Sequence, residues 1–204
     1  MKKTVKLLGL VLSVFLIAVL IINITKEGDA KDTDNAPTLL TEPTPTPQSK
    51  PFCVDDCTIS DTGLAIIKFF EGFSPFTYID AAGHPTIGFG HLIRPGETFN
   101  EPLTGVAADE LLRKDVQSAE RDVNRSVKVP FLIHQFDAIV SFTFNLGGGA
   151  LAKSTLLKRI NAGRHEDVPA QLDRWVYAGG KKLRGLVLRR TAEGVLYSGG
   201  GFSE

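Results

Sequence analysis

The feature that most restricts this chain is an uninterrupted apolar run, Leu7 to Ile24, with no charge and no proline in it. Leu, Val and Ile cover every face of the run, so it has no polar stripe to turn toward water and does not read as one wall of a soluble core. As a helix it would span roughly 27 Å, close to the thickness of a bilayer's hydrocarbon core. Lys2, Lys3 and Lys6 precede it; Glu27, Asp29, Asp32 and Asp34 follow it. That order keeps the basic end cytoplasmic and sends the rest of the chain across the membrane. A cleaved signal peptide is the competing reading, with Gly28-Asp29-Ala30 as the cleavage region. The run is longer than the apolar region such peptides carry, which favours an uncleaved anchor.

From Thr25 to about Lys50 there is little to bury, and Pro43-Thr44-Pro45-Thr46-Pro47 predicts an extended, semi-rigid spacer. Cys53 and Cys57 are the only cysteines. Two are too few for a four-ligand structural zinc site, and in an oxidising compartment a disulfide is the natural reading. The expected division is an anchor over 1–24, a spacer with the cysteine pair over 25–57, and a globular domain over 58–204. Formal net charge is zero, yet Lys153 to Arg190 holds ten basic residues against three acids, an excess of 10 − 3 = +7. Such a block suggests a face for an acidic partner. Nucleic acid and an anionic cell-wall polymer both fit it, and no nucleic-acid motif is present.

In the globular part, Ser60-Asp61-Thr62 offers a helix N-cap, and Leu64, Ile67, Lys68 and Glu71 follow at helical spacing. Gly72 and Pro75 end that helix, which puts Glu71 in its last turn. Phe76 to Ile93 reads as a small antiparallel hairpin region punctuated by Gly83, Gly88 and Gly90. Thr104 to about Val127 is a helix. Phe131 to Leu146 is a strongly apolar helix at the centre of the core. Ser154 caps a short helix that stops at Gly163, and Asp167–Trp175 and Leu186–Leu196 supply two more. Gly147-Gly148-Gly149 reads as a flexible connection. The fold class is therefore α+β: a small β lobe and a larger helical lobe with a cleft between them.

Cleaving a glycosidic bond by acid catalysis needs two carboxyl groups in unlike surroundings. Glu71 follows Phe69 and Phe70 and precedes Phe73. An apolar setting there would raise its pKa and suit it to donate a proton. Asp80 lies at a polar turn where it would remain ionised, and Thr86 supplies a hydroxyl to orient a water. Alone, a Glu and an Asp nine residues apart are most often surface charges.

The stretch Glu71-Gly72, Tyr78, Asp80, Gly83, Thr86-Ile87-Gly88-Phe89-Gly90-His91 resembles the active-site region of the phage-type lysozymes, the endolysins of many tailed bacteriophages. Ser141-Phe142-Thr143-Phe144-Asn145-Leu146-Gly147-Gly148-Gly149 with Ser154-Thr155-Leu156 is similar to a second stretch of that family. Trp175 with Gly185-Leu186-Val187 and Arg189-Arg190 is similar to a third. The resemblance covers roughly Thr58 to Tyr197 and implies a lysozyme-like fold. It further implies hydrolysis, with inversion, of the β-1,4 bond between N-acetylmuramic acid and N-acetylglucosamine. Glu71 would be the general acid, Asp80 with Thr86 would position the water, and Leu92, Phe144 and Asn145 would line the cleft. No metal or cofactor is implied. His91 would be structural and paired with an acid such as Asp115. Read from the residues, Phe131, Phe136, Phe142 and Phe144 are expected in the core and not as a carbohydrate-stacking platform, Phe144 being also the one that the resemblance puts at the cleft.

The anchor is similar to that of the signal-anchor subtype of endolysins. It implies a monomer at the host inner membrane, with its catalytic domain in the periplasm acting on peptidoglycan glycan strands. Gly9 and Ala18 are outnumbered by Leu, Val and Ile in the run, a departure that puts release in doubt and leaves both release and permanent tethering open. An anchored bacterial cell-wall remodelling muramidase, a lytic transglycosylase and a non-catalytic peptidoglycan-binding module are the alternatives. The last would lack one of the carboxylates.

Overall fold

Helix α1 (Asp61–Glu71) begins where Ser60, with extended backbone, turns its side chain back to accept from the N–H of Gly63 at 3.3 Å. This satisfies one of the donors that a helix start leaves open. The same device opens α2 (Gly105–Ser126), where Thr104 accepts from Ala107, and α5 (Thr155–Asn161), where Ser154 accepts from Leu157. The Ser60 and Ser154 caps lie where the sequence places them, and α2 starts beside Thr104 as expected. The structure is a computed structural model and describes residues 52–53 and 56–200. The apolar run 7–24, the spacer as far as residue 51 and the side chain of Cys53 lie outside the described residues. Among the described residues no helix is long and apolar enough to cross a membrane.

The core is built around α3 (Ile133–Leu146). Its Phe136, Ala138, Ile139, Val140 and Phe142 are all buried. Helices α1 and α2 and the C-terminal α7 (Arg184–Tyr197) surround it, together with Leu151, Leu156 and Ile160 from α4 (Gly148–Lys153) and α5. The short α6 (Val168–Leu172) packs on α7. Phe131, Phe136 and Phe142 are in this core as expected, and Phe144 is partly buried against it. The β lobe is one antiparallel sheet of β2 (Ser74–Ile79), β3 (Pro85–Gly88) and β4 (His91–Leu92), in that order. It sits over a small second core of Ile87, Leu103 and Ala108.

Three expectations need correction. Phe131–Leu132 is not the first turn of the central helix but a strand, β5, paired antiparallel with β1 (Phe52–Cys53). Local apolar pattern cannot announce a partner so far away in the chain. Gly147 at φ +86° does break the chain, but Gly148 and Gly149 then start α4. Any side chain at Gly148 would collide with Asp122 of α2, so the glycine serves close helix packing. Asp167–Trp175 is helical only to Leu172. Beyond it Tyr177–Ala178 (β6) and Lys181–Lys182 (β7) form a hairpin around Gly179-Gly180, both at positive φ.

Two buried acids fasten the segment entering α1 to the helical lobe. Glu120 of α2 accepts from the N–H of Ile59 at 2.8 Å. Asp137 of α3 accepts from the N–H and the hydroxyl of Ser60 at 2.9 and 2.5 Å. Burial raises the Asp137 pKa, and the Ser60 hydrogen bonds oppose that rise. Gly63 touches this seam so closely that a Cβ would lie 2.7 Å from Asp137. Replacing Asp137 by Ala strands the Ser60 donors in the interior. We expect unfolding in urea to report a loss of about 2–4 kcal/mol; a loss within error would show that the seam carries little of the fold.

Candidate active site

Glu71 closes α1, and Gly72 at φ +72° turns the chain directly into β2. The apolar setting expected for Glu71 is not what the fold provides. Phe69 and Phe73 are exposed, because neighbours in sequence point to different faces of a helix. Instead, Arg189 of α7 donates from Nη1 to Glu71 Oε1 at 2.7 Å. The other carboxyl oxygen, Oε2, faces Gly90.

Arg189 is itself almost fully buried and rigidly held. It donates to Glu193 Oε1 at 3.2 Å and to the carbonyl of Ser141 at 3.2 Å. Its guanidinium lies 5.5 Å from the Phe70 ring. The Ser141 hydroxyl donates to the same Glu193 oxygen at 2.8 Å. Next to it, Arg190 donates to Asn145 Oδ1 at 2.8 Å and stands 5.0 Å over Phe142. Its Nε is 3.1 Å from Glu193 Oε2, yet neither atom is aligned for a hydrogen bond, so that contact acts through charge. Burial lowers the Arg190 pKa to about 10, with Glu193 opposing, which leaves it cationic at neutral pH. Sequence reasoning noted Arg189 and Arg190 as part of a resemblance and missed this role. The pair also accounts for two of the ten cations in the basic block, and Arg159 and Arg164 both face Asp167. Asp167 is already among the three acids subtracted, so it is the buried pair, answered by Glu71 and Glu193, that makes the exposed excess smaller than the count suggests.

Asp80 sits at the mouth of the β2–β3 hairpin, where its N–H bonds the carbonyl of His84 at 2.9 Å. Three residues, Ala81 to Gly83, make the loop, and Gly83 takes the positive φ this loop requires. Asp80 Oδ1 accepts from the N–H groups of Ala82 at 2.8 Å and His84 at 2.9 Å. The hydrogen bond from the His84 N–H is the main reason this carboxyl lies below the usual carboxylate range; desolvation opposes it, and the Ala82 hydrogen bond adds to the lowering. Oδ2 accepts none of these bonds. Thr86 is buried, and its hydroxyl donates to the carbonyl of His84 at 3.1 Å. Its proton is thereby committed, and its lone pairs remain.

The register brings the rest together. Tyr78 is the cross-strand partner of Thr86, and Thr86 is the partner of Leu92. Partners in an antiparallel sheet share a face and strand residues alternate, so Tyr78, Thr86 and Leu92 form one row with Asp80 beside it. Burial raises the Tyr78 pKa, and the charges of Asp80 and Glu71 raise it further, so this face of the sheet is the one turned toward Glu71. Phe144 and Asn145 lie in the last turn of α3, with the Asn145 side-chain oxygen accepting from Arg190. His91 binds Asp115 at 2.9 Å through Nδ1, as expected, and also Glu97 at 3.1 Å through Nε2. His84 is exposed in its turn. Cys57 is disulfide-bonded. A concavity of about 470 Å³ between α6 and α7, lined by Pro169, Asp173, Arg190 and Gly194 among others, touches none of Glu71, Asp80 or Thr86.

A lysozyme-like α+β fold with a helix-borne Glu and a hairpin-borne Asp defines the class, and the comparisons agree. Residues 68–193 match the family described as phage lysozyme. The chain is 40% identical over 147 residues to the endolysin of Bacillus phage PZA, covering 70% of this chain and 55% of that protein. It is 38% identical over 126 residues to the SAR-endolysin of Bacteriophage PS119, covering 60% and 73%. The muramidase domain of SpmX from Asticaccaulis excentricus superposes with a TM-score of 0.62 at 35% identity, covering 69% of this chain and 97% of that domain. The chain belongs to the phage lysozyme family. It spans about half the length of the Bacillus phage PZA endolysin.

The pinned turn has a consequence in acid. Because the Asp80 pKa is lowered on folding, its contribution to stability is present above the unfolded value near ~3.9 and is lost as pH falls through the folded one. Carboxyl-detected NMR titration should place the Asp80 midpoint below that of an ordinary aspartate. A midpoint at or above it would contradict the hydrogen-bonded turn described here.

Proposed function

We propose that this protein is a muramidase that hydrolyses the β-1,4 bond between N-acetylmuramic acid and N-acetylglucosamine in peptidoglycan, acting as a phage endolysin in host cell lysis. The observation that carries the reading is how Asp80 and Thr86 are satisfied. Oδ1 of Asp80 is used by two backbone N–H groups, and the Thr86 proton is used by the His84 carbonyl. What both side chains have left to offer is acceptors. A water donating one hydrogen to Asp80 Oδ2 and the other to Thr86 Oγ1 would turn a lone pair toward the sugar. Asp80 then takes up the proton as that oxygen bonds to the anomeric carbon.

Glu71 is the general acid in this mechanism. Its Oε1 is engaged by Arg189, so Oε2 carries the proton to the leaving glycosidic oxygen. The carboxylate left behind meets a guanidinium already in place, so no reorganisation is needed when the charge appears. Opposite-face attack by water inverts the anomeric centre. Leu92, Phe144 and Asn145 line the glycan groove in this reading, and no cofactor takes part.

Residues 1–24 are the signal anchor of this reading, 25–57 the spacer, whose end is already fastened to the fold through β1 and Cys57, and 58–204 the catalytic domain. The monomer is then held at the host inner membrane with its catalytic part in the periplasm, consistent with the name of the Bacteriophage PS119 relative. The Cys57 bridge would be to Cys53, the other cysteine of the chain, fixing the end of the spacer at the catalytic domain. The dominance of Leu, Val and Ile in the anchor favours a tether that is retained. That is the observation behind the second reading, an anchored cell-wall remodelling muramidase.

Incubation of the full chain with purified peptidoglycan, followed by mass spectrometry of the new ends, should show a reducing N-acetylmuramic acid. An anhydro end would mean a transglycosylase. Glu71→Gln keeps the shape and the Arg189 contact but removes the transferable proton. It should fold normally and keep less than a tenth of parental activity, with Asp80→Asn nearly as damaging. Retention of more than that by Glu71→Gln would remove Glu71 from the mechanism.

A further inference from the structure

The sheet side of the site offers a sugar acceptors and, among the residues so far assigned, no donor. Asp80 and Thr86 present lone pairs, and the Arg189 side chain is spent on Glu71, Glu193 and Ser141. Across the cleft the Glu71 proton and the Asn145 amide N–H groups, whose oxygen Arg190 takes, are the donors on offer; the sheet residues so far assigned give a sugar oxygen nothing to accept from. Leu92, third in the sheet row, is apolar. Tyr78 is the remaining member of that row. It lies opposite Thr86 and two residues before Asp80, so the strand's alternation places its side chain on their face. The bulge in β2 between Ser74 and Tyr78 ends at this residue, where regular pairing resumes through Ile79 to the Asp80 turn.

Tyr78 has the right chemistry for the missing part. It is 41% exposed, so a ligand can reach it. Its phenol lies in the field of both carboxyls and is kept protonated by burial and by the Asp80 and Glu71 charges. It is absent from the hydrogen bonds that tie Asp80 and Thr86 into the hairpin, so the fold does not consume its proton.

We propose that Tyr78 is a substrate-positioning residue whose hydroxyl donates to a hydroxyl or N-acetyl carbonyl oxygen of the sugar held between Glu71 and Asp80. This rests on the hydrolase reading above. The hydrogen bond fixes the sugar's depth and tilt relative to the water on Asp80 and the proton on Glu71. A long glycan strand draws its affinity from many contacts, so losing one should leave binding nearly intact. The reaction needs close alignment, so the loss falls on turnover.

The test compares the full chain with its Tyr78→Phe variant on soluble, uncross-linked glycan strands. Tyr78→Phe retains the ring and removes the donor. We expect kcat to fall about tenfold, the scale of one neutral hydrogen bond, with KM changed less than twofold and the unfolding midpoint unchanged. A kcat within twofold of the parent would overturn the proposal. So would a loss that appears in KM alone, or one accompanied by a clear drop in thermal stability, since the ring would then be acting through the fold. A parent protein that leaves the strands intact would overturn the hydrolase reading and this proposal together. A parent that cuts them while Tyr78→Phe keeps its rate overturns only the assignment of Tyr78.

Discussion

Arg189 is the interaction on which the rest of the structure depends. A guanidinium taken out of water is costly unless every face of it is answered. Here the answers come from four places in the chain: Glu71 at the end of α1, Ser141 in the middle of α3, Glu193 one turn further along α7, and the Phe70 ring beneath. Because these partners lie on three different helices, satisfying the arginine also sets the relative position of those helices. Glu193 is fully buried and stands between two cations, Arg189 and Arg190. The polar centre of the helical lobe is thus a single charge network, with Glu71 as its one edge open to solvent.

The β lobe is constrained by a different means. The Asp80 side chain is part of its own turn, and Thr86 is tied to the same turn through the His84 carbonyl. Neither is free to swing. The hairpin reaches Glu71 through Gly90, which faces its carboxyl, and it is fastened to α2 by His91 and Asp115. Two stiff pieces therefore meet at the site, one carrying an acid bonded to a cation and the other carrying a carboxylate bonded to backbone N–H groups. Those unlike surroundings are what division of labour between two carboxyl groups requires.

Much of this is legible in the sequence, and the legible part is local. Ser60, Thr104 and Ser154 announce helix starts because a cap is a matter of three adjacent residues. Gly83 announces the hairpin loop, and the candidate site is legible only through the family resemblance carried by the stretch from Glu71 to His91. What escapes is non-local. Two-residue strands such as β1 and β5 carry no periodicity of their own. Arg189 is 118 positions from Glu71, and a basic residue in a basic block looks like a solvated one. The error about Glu71 came from the same source: Phe69, Phe70 and Phe73 are near it in sequence, but helical geometry sends only Phe70 into the core. Gly148 reads as a flexible link because the sequence gives no sign that Asp122 will lie against it.

The central claim is that Asp80, pinned in its turn, holds a water and does not attack the sugar itself. The configuration of the newly released reducing end tests it most directly. In proton NMR recorded during the first minutes of cleavage of soluble glycan strands, before mutarotation, the account predicts that the α anomer appears first, inverted from the β bond. First appearance of the β anomer would contradict it and would make Asp80 a nucleophile.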